Sequence, residues 1–67
     1  MKSLSGKELC QVLERQGWAC TSIRGSHHRY EKPGVAPVIV PVHGNKSLKT
    51  GMQHAIMKAA GLTEHDL

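Results

Sequence analysis

This chain of 67 residues has no phenylalanine, one tryptophan and one tyrosine. Its core must therefore be assembled from Leu, Val, Ile, Met and Ala around Trp18, with Tyr30 as a further contributor. A chain of this size buries only about 60% of the surface its unfolded form exposes, so its stability margin is thin. That excludes a deep pocket for a large cofactor. Any site is expected to be shallow and open, with a substrate that lies across a surface. Cysteine is scarce too. Cys10 and Cys20 have neither C-x-x-C nor zinc-ligand spacing, and two are too few for a disulfide framework. One disulfide between them is open to the chain but not required; both are expected to be reduced, as small apolar fillers. No cofactor and no metal is expected. No apolar run resembles a signal-peptide core, and none approaches the length that spans a bilayer. The expectation is a cytoplasmic protein without membrane contact, forming one domain over residues 1–67, since no repeat, linker or low-complexity tract divides it.

Acidic residues are also few. Nine Lys and Arg face five Asp and Glu, a formal charge of +4, and five histidines stand beside them. A basic balance attracts polyanions, nucleic acid being the commonest, although ordinary solubility accounts for many such surpluses.

What is there reads as α-β-β-β-α. Ser5-Gly6-Lys7-Glu8 fits a capping box, with Leu4 and Leu9 placed as a hydrophobic staple. Leu9, Val12 and Leu13 form the buried stripe of this first helix, and Gly17 ends it. Residues 18–23 turn β-favouring, Gly25-Ser26 makes a tight turn, and HHRYEK reads as a second strand. Pro33-Gly34 opens a loop reaching about Ala36. VIVPVH follows as the strongest strand, with Val38, Val40 and Val42 on one face and Ile39, Pro41 and His43 on the other. Pro41 cannot donate to a ladder, which predicts an edge or a bulge there. Thr50-Gly51-Met52-Gln53 suggests a second capping box. Met52, Ala55, Ile56, Ala59 and Ala60 would be the stripe of a helix closed by Gly61, and Thr63 would cap a final turn. The fold class is α+β: a small two-layer sandwich, two helices on one face of a three-stranded antiparallel sheet, the other face left open.

The open face directs attention to IRGSHHRYEKPG, where two adjacent histidines sit between two turns and beside Arg24 and Arg29. Alternation sends either His27, Arg29 and Glu31 outward, or His28, Tyr30 and Lys32. Tyr30 is the better inward residue, so His27 and Arg29 are expected on the open face. His27, His28 and His43 as a zinc site is a weaker reading, because adjacent strand residues point apart. His54 and His65 are expected at the surface, solvated or facing a partner.

In order along the chain, Gly17-Trp18, Gly25-Ser26-His27, Tyr30, Pro41-Val42-His43 and Ala60-Gly61-Leu62 resemble the HicA toxin family, small ribonucleases of bacterial toxin–antitoxin pairs. The resemblance implies a double-stranded-RNA-binding-like fold and cleavage of messenger RNA. It places the catalytic histidine directly after Gly-Ser, at His27, leaves His28 at a variable position, and makes His43 a supporting residue. It also implies a HicB-like antitoxin as partner.

The chemistry suits a lone imidazole. RNA carries its own nucleophile, the 2′-hydroxyl, so no Ser or Cys nucleophile is needed. A histidine exchanges protons near neutral pH and typically contributes about 10²–10⁴-fold. Arg24, Ser26, Arg29, Lys46 and Lys49 are the expected RNA contacts, being nearest His27 by chain position. The leading reading is a metal-independent endoribonuclease. Its rivals are a non-catalytic RNA-binding module of the same fold and an interaction protein whose basic face meets an acidic antitoxin.

Overall fold

The computed structural model describes residues 2–67. Helix α1 spans Gly6–Arg15, strands β1, β2 and β3 span Ala19–Arg24, His27–Lys32 and Val35–Pro41, and helix α2 spans Thr50–Ala60; a 3-10 turn, Glu64–Asp66, follows. The sheet is antiparallel in the order β1-β2-β3, so Pro41 lies on an edge strand where its missing N–H costs least. Strand β3 starts earlier than expected, at Val35, because Pro33-Gly34 with Gly34 at φ 77° turns the chain without a longer loop.

Local signals set the first helix. The Ser5 hydroxyl accepts from the Glu8 amide (3.1 Å), and the Glu8 carboxylate accepts from the Ser5 amide (2.9 Å). The Ser5 amide first, and then the Ser5 hydroxyl, favour the charged carboxylate and hold Glu8 below the usual Glu range. Leu4 and Leu9 are both buried, as a staple requires. At the other end Trp18 N–H donates to Leu13 O and Gly17 N–H to Glu14 O, with Gly17 at φ 93°. That is a Schellman motif, and its hydrophobic C″ residue, Trp18, is buried. The same pair of bonds closes α2 around Gly61, from Leu62 to Met57 and from Gly61 to Lys58.

Helix α2 departs from the sequence expectation. Its buried face is Gln53, Ile56 and Met57 with Ala60 behind, whereas Met52, Ala55 and Ala59 are exposed. The cause is Gln53, which is fully buried and satisfied: Oε1 accepts from the Leu4 amide (2.9 Å) and Nε2 donates to Lys2 O (2.6 Å). The expected Thr50–Gln53 capping box does not form. Lys49 occupies the N-cap position without a side-chain cap, and Gln53 instead ties the N-terminal segment to the helix. Leu48 N–H donates to Leu4 O (2.8 Å) and Ser5 bridges Ser47, completing that tie. Asp66 accepts from the Thr63 amide (2.7 Å), so the final turn is capped at the expected place.

One cluster holds these elements together: Leu9, Val12 and Leu13 from α1, Tyr30, Val38 and Val40 from the sheet, and Ile56 and Met57 from α2. Val38 and Val40 point inward, and Ile39 between them is exposed, as period-two alternation requires. Cys10 is buried as expected, but Cys20 is exposed on β1, none of whose residues is buried; both thiols are free. Tyr30 is inward, its hydroxyl donating to Glu14 (2.6 Å). Burial first, and then the hydrogen bond to Glu14, raises its ionisation far above the ordinary tyrosine range.

Candidate nucleic-acid interface

With Tyr30 inward, His27 and Arg29 emerge on the open face, both exposed. Register places Arg24 opposite His27 and His27 opposite Pro41, so these three stand abreast across the sheet. Ser22, Arg29 and Ile39 form the next row. Together Ser22, Arg24, His27, Arg29 and Ile39 line a shallow groove of about 460 Å³. The two-residue turn Gly25-Ser26, with Gly25 at φ 58°, starts β2 directly at His27. Ser26 contributes its backbone here: its carbonyl accepts from the Val42 amide (2.7 Å), which pins the turn to the residue after Pro41.

Arg24 reaches this face because β1 is irregular. Cys20 pairs with Tyr30 but Ser22 pairs with Arg29, so β1 advances two residues while β2 advances one. A regular strand would have sent Ser22 and Arg24 to the helix side. The extra residue reverses them, bringing a guanidinium beside His27 and sending Ile23 to the other face.

Arg29 is not a free cation. Its Nε lies 3.4 Å from Glu31 Oε2, and the Thr21 hydroxyl donates to the same oxygen (2.7 Å). The Thr21 bond first, then Arg29, lowers the ionisation of Glu31. Arg24 has no acidic partner among the described residues, which leaves it the more available of the two for an anion. Alternation along β2 already puts Arg29 and Glu31 on one face, whereas the placement of Arg24 follows only from strand pairing.

The adjacent histidine goes elsewhere. His28 is half-buried on the helix side, in a second groove with Cys10, Glu14, Cys20, Ile23 and Tyr30. His27 and His28 therefore serve opposite faces, and His43 lies past Pro41. Among the described residues no three His, Cys, Asp or Glu side chains converge as a metal-binding group. His54 and His65 are exposed, away from the groove.

Lys46 and Lys49, grouped with His27 by chain position, do not line its groove. They stand with His43 around a separate concavity of about 310 Å³ beyond Pro41. Ser22, which the sequence reading did not single out, and Ile39, which it placed only on a strand face with Pro41 and His43, take their place beside His27. Only the strand register could have found them.

Residues 6–62 match the family model described as "HicA toxin of bacterial toxin-antitoxin". The chain belongs to the HicA toxin family. The match runs from the first residue of α1 to the residue after Gly61, so it covers both helices and the whole sheet. HicA toxins generally cleave RNA, and a toxin of such a pair implies a cognate antitoxin. No curated protein matches the chain. Among the described residues no helix is long and apolar enough to cross a membrane.

Proposed function

We propose that the chain is an endoribonuclease in which the His27 imidazole exchanges a proton with the reacting ribose phosphate. The observation that carries this reading is the exposed His27 ring on the open sheet face, between Arg24 and the Arg29 row, in a chain of the HicA family. The step balances without a protein nucleophile. The 2′-oxygen attacks the adjacent phosphorus, the bond to the 5′-oxygen breaks, one proton leaves the 2′-hydroxyl and one arrives at the departing oxygen. The products are a 2′,3′-cyclic phosphate and a 5′-hydroxyl. His27 serves one of these transfers, and water, which the open groove admits, serves the other. Arg24, with Arg29 when the phosphate competes against Glu31, offsets the charge developing on the phosphoryl oxygens. A single positioned acid or base contributes about 10²–10⁴-fold, a modest rate that suffices for a toxin. The antitoxin inhibits by covering this open face.

Inducing the chain and a His27→Ala variant in a bacterial host, while following growth and message integrity, tests the proposal. The parent should arrest growth and degrade messages; the variant should do neither. Equal RNA decay in both would remove His27 from catalysis. RNA binding without cleavage by either would leave a non-catalytic RNA-binding module. Activity should also persist in chelator.

A further inference from the structure

The concavity beyond Pro41 has a construction the His27 groove does not explain. Its rim carries His43, Lys46 and Lys49, and its lining includes Pro41, Leu48 and the half-exposed Met52 but no Asp or Glu. Among the described residues none of the three basic side chains has an acidic partner. The loop that holds them is anchored. Lys46 N–H donates to His43 O (3.0 Å), closing a turn through Gly44 at φ 57°, and Leu48 is buried beneath with its amide fixed to Leu4 O. The cations are thus gathered by backbone that is already tied down.

Position gives the concavity its meaning. Pro41 is the cross-strand partner of His27 and also part of the concavity's wall. Directly opposed residues in an antiparallel pair have Cα atoms about 4.5–5.5 Å apart and project to the same face. Pro41 is therefore a low ridge with His27 on one side and the three basic groups on the other.

We infer that this concavity is a second phosphate subsite, holding a neighbouring phosphate of the same RNA strand whose scissile bond lies at His27. Lys46 and Lys49 meet the phosphate as point charges, His43 adds a hydrogen-bond partner, and Pro41 and Met52 give the ribose or base an apolar surface. The substrate is then a single strand that crosses the ridge, not an isolated phosphodiester. This inference rests on the ribonuclease reading for the identity of the strand.

Binding and turnover separate the two claims. In a His27→Ala background, anisotropy of a labelled single-stranded RNA oligonucleotide is titrated against salt, with and without Lys46→Gln and Lys49→Gln. Each lost phosphate contact should flatten the log–log salt slope by about 0.7 and weaken binding for all sequences alike. With His27 restored, the double variant should raise KM on the oligonucleotide roughly tenfold, equivalent to about 1.4 kcal/mol, with kcat changed less than KM. Unchanged RNA affinity and salt slope would overturn the subsite and leave the lysines to an acidic protein partner. A fall in kcat at constant KM would overturn it by placing them at the reacting phosphate. If His27→Ala cleaves like the parent, the catalytic reading fails while the binding titration still decides the subsite. Both lysines are exposed, and unchanged thermal melting verifies that the variants fold.

Discussion

Gly6, the first residue of α1, lies directly against the backbone carbonyl of Pro41, so close that a methyl group in its place would overlap that oxygen. The contact joins the start of the helix to the strand residue opposite His27. In an open helix, alanine for glycine would gain about 1 kcal/mol from propensity. Here the overlap falls on backbone, which cannot swing aside. Gly6→Ala should destabilise the protein by about 1–3 kcal/mol, measured by chemical denaturation. A neutral or stabilising result would show that the helix and Pro41 do not meet this closely.

Ser5 caps α1 through its side chain, and Ser5→Ala should cost about 1 kcal/mol. The partner bond has a pH signature. Glu8 is held below its ordinary value in the folded chain, so its contribution is present above the unfolded carboxylate pKa and is lost as pH falls through the folded one. Acid titration of stability should show this loss in the parent and a shallower one in Glu8→Gln.

Comparison of the two expected capping boxes shows where the sequence was readable. Ser5 and Glu8 lie three residues apart and need only each other. Thr50 and Gln53 have the same spacing, but Gln53 is claimed by Leu4, across 49 positions, and the stripe of α2 shifts with it. Tyr30 made the orientation of His27 legible, because alternation along one strand is a local property. The irregularity that turns Arg24 outward, and the ridge at Pro41 that parts Lys46 and Lys49 from His27, exist only once strands pair. For that reason chain proximity could not show that the two lysines line a concavity separate from the His27 groove.

Gln53 gives a direct test of the long-range tie. Gln53→Ala leaves the Leu4 amide without its acceptor and opens space beside Met57. An unsatisfied buried group alone costs about 1–3 kcal/mol. Hydrogen exchange should accelerate at the Leu4 amide, and also at Leu48, which depends on the same segment. Unaltered protection at both would contradict the tie.

Glu31 pairs with Arg29, so under the proposed function it competes with RNA for that guanidinium. Glu31→Gln should therefore strengthen binding of single-stranded RNA and steepen its salt dependence by up to about 0.7, the increment for one added phosphate contact. The exposed position makes a large stability change unexpected. Weaker binding in this variant would mean that Glu31 holds Arg29 in its productive orientation.

The sheet separates His27 from His28 by face, and that separation is the most direct handle on function. Purified parent, His27→Ala and His28→Ala proteins should be compared for initial rates of cleavage of one RNA oligonucleotide in chelator. The expected result is a loss of about 10²-fold or more for His27→Ala, with His28→Ala far closer to the parent. Full activity in folded His27→Ala, or the larger loss in His28→Ala, would contradict catalysis on the open face.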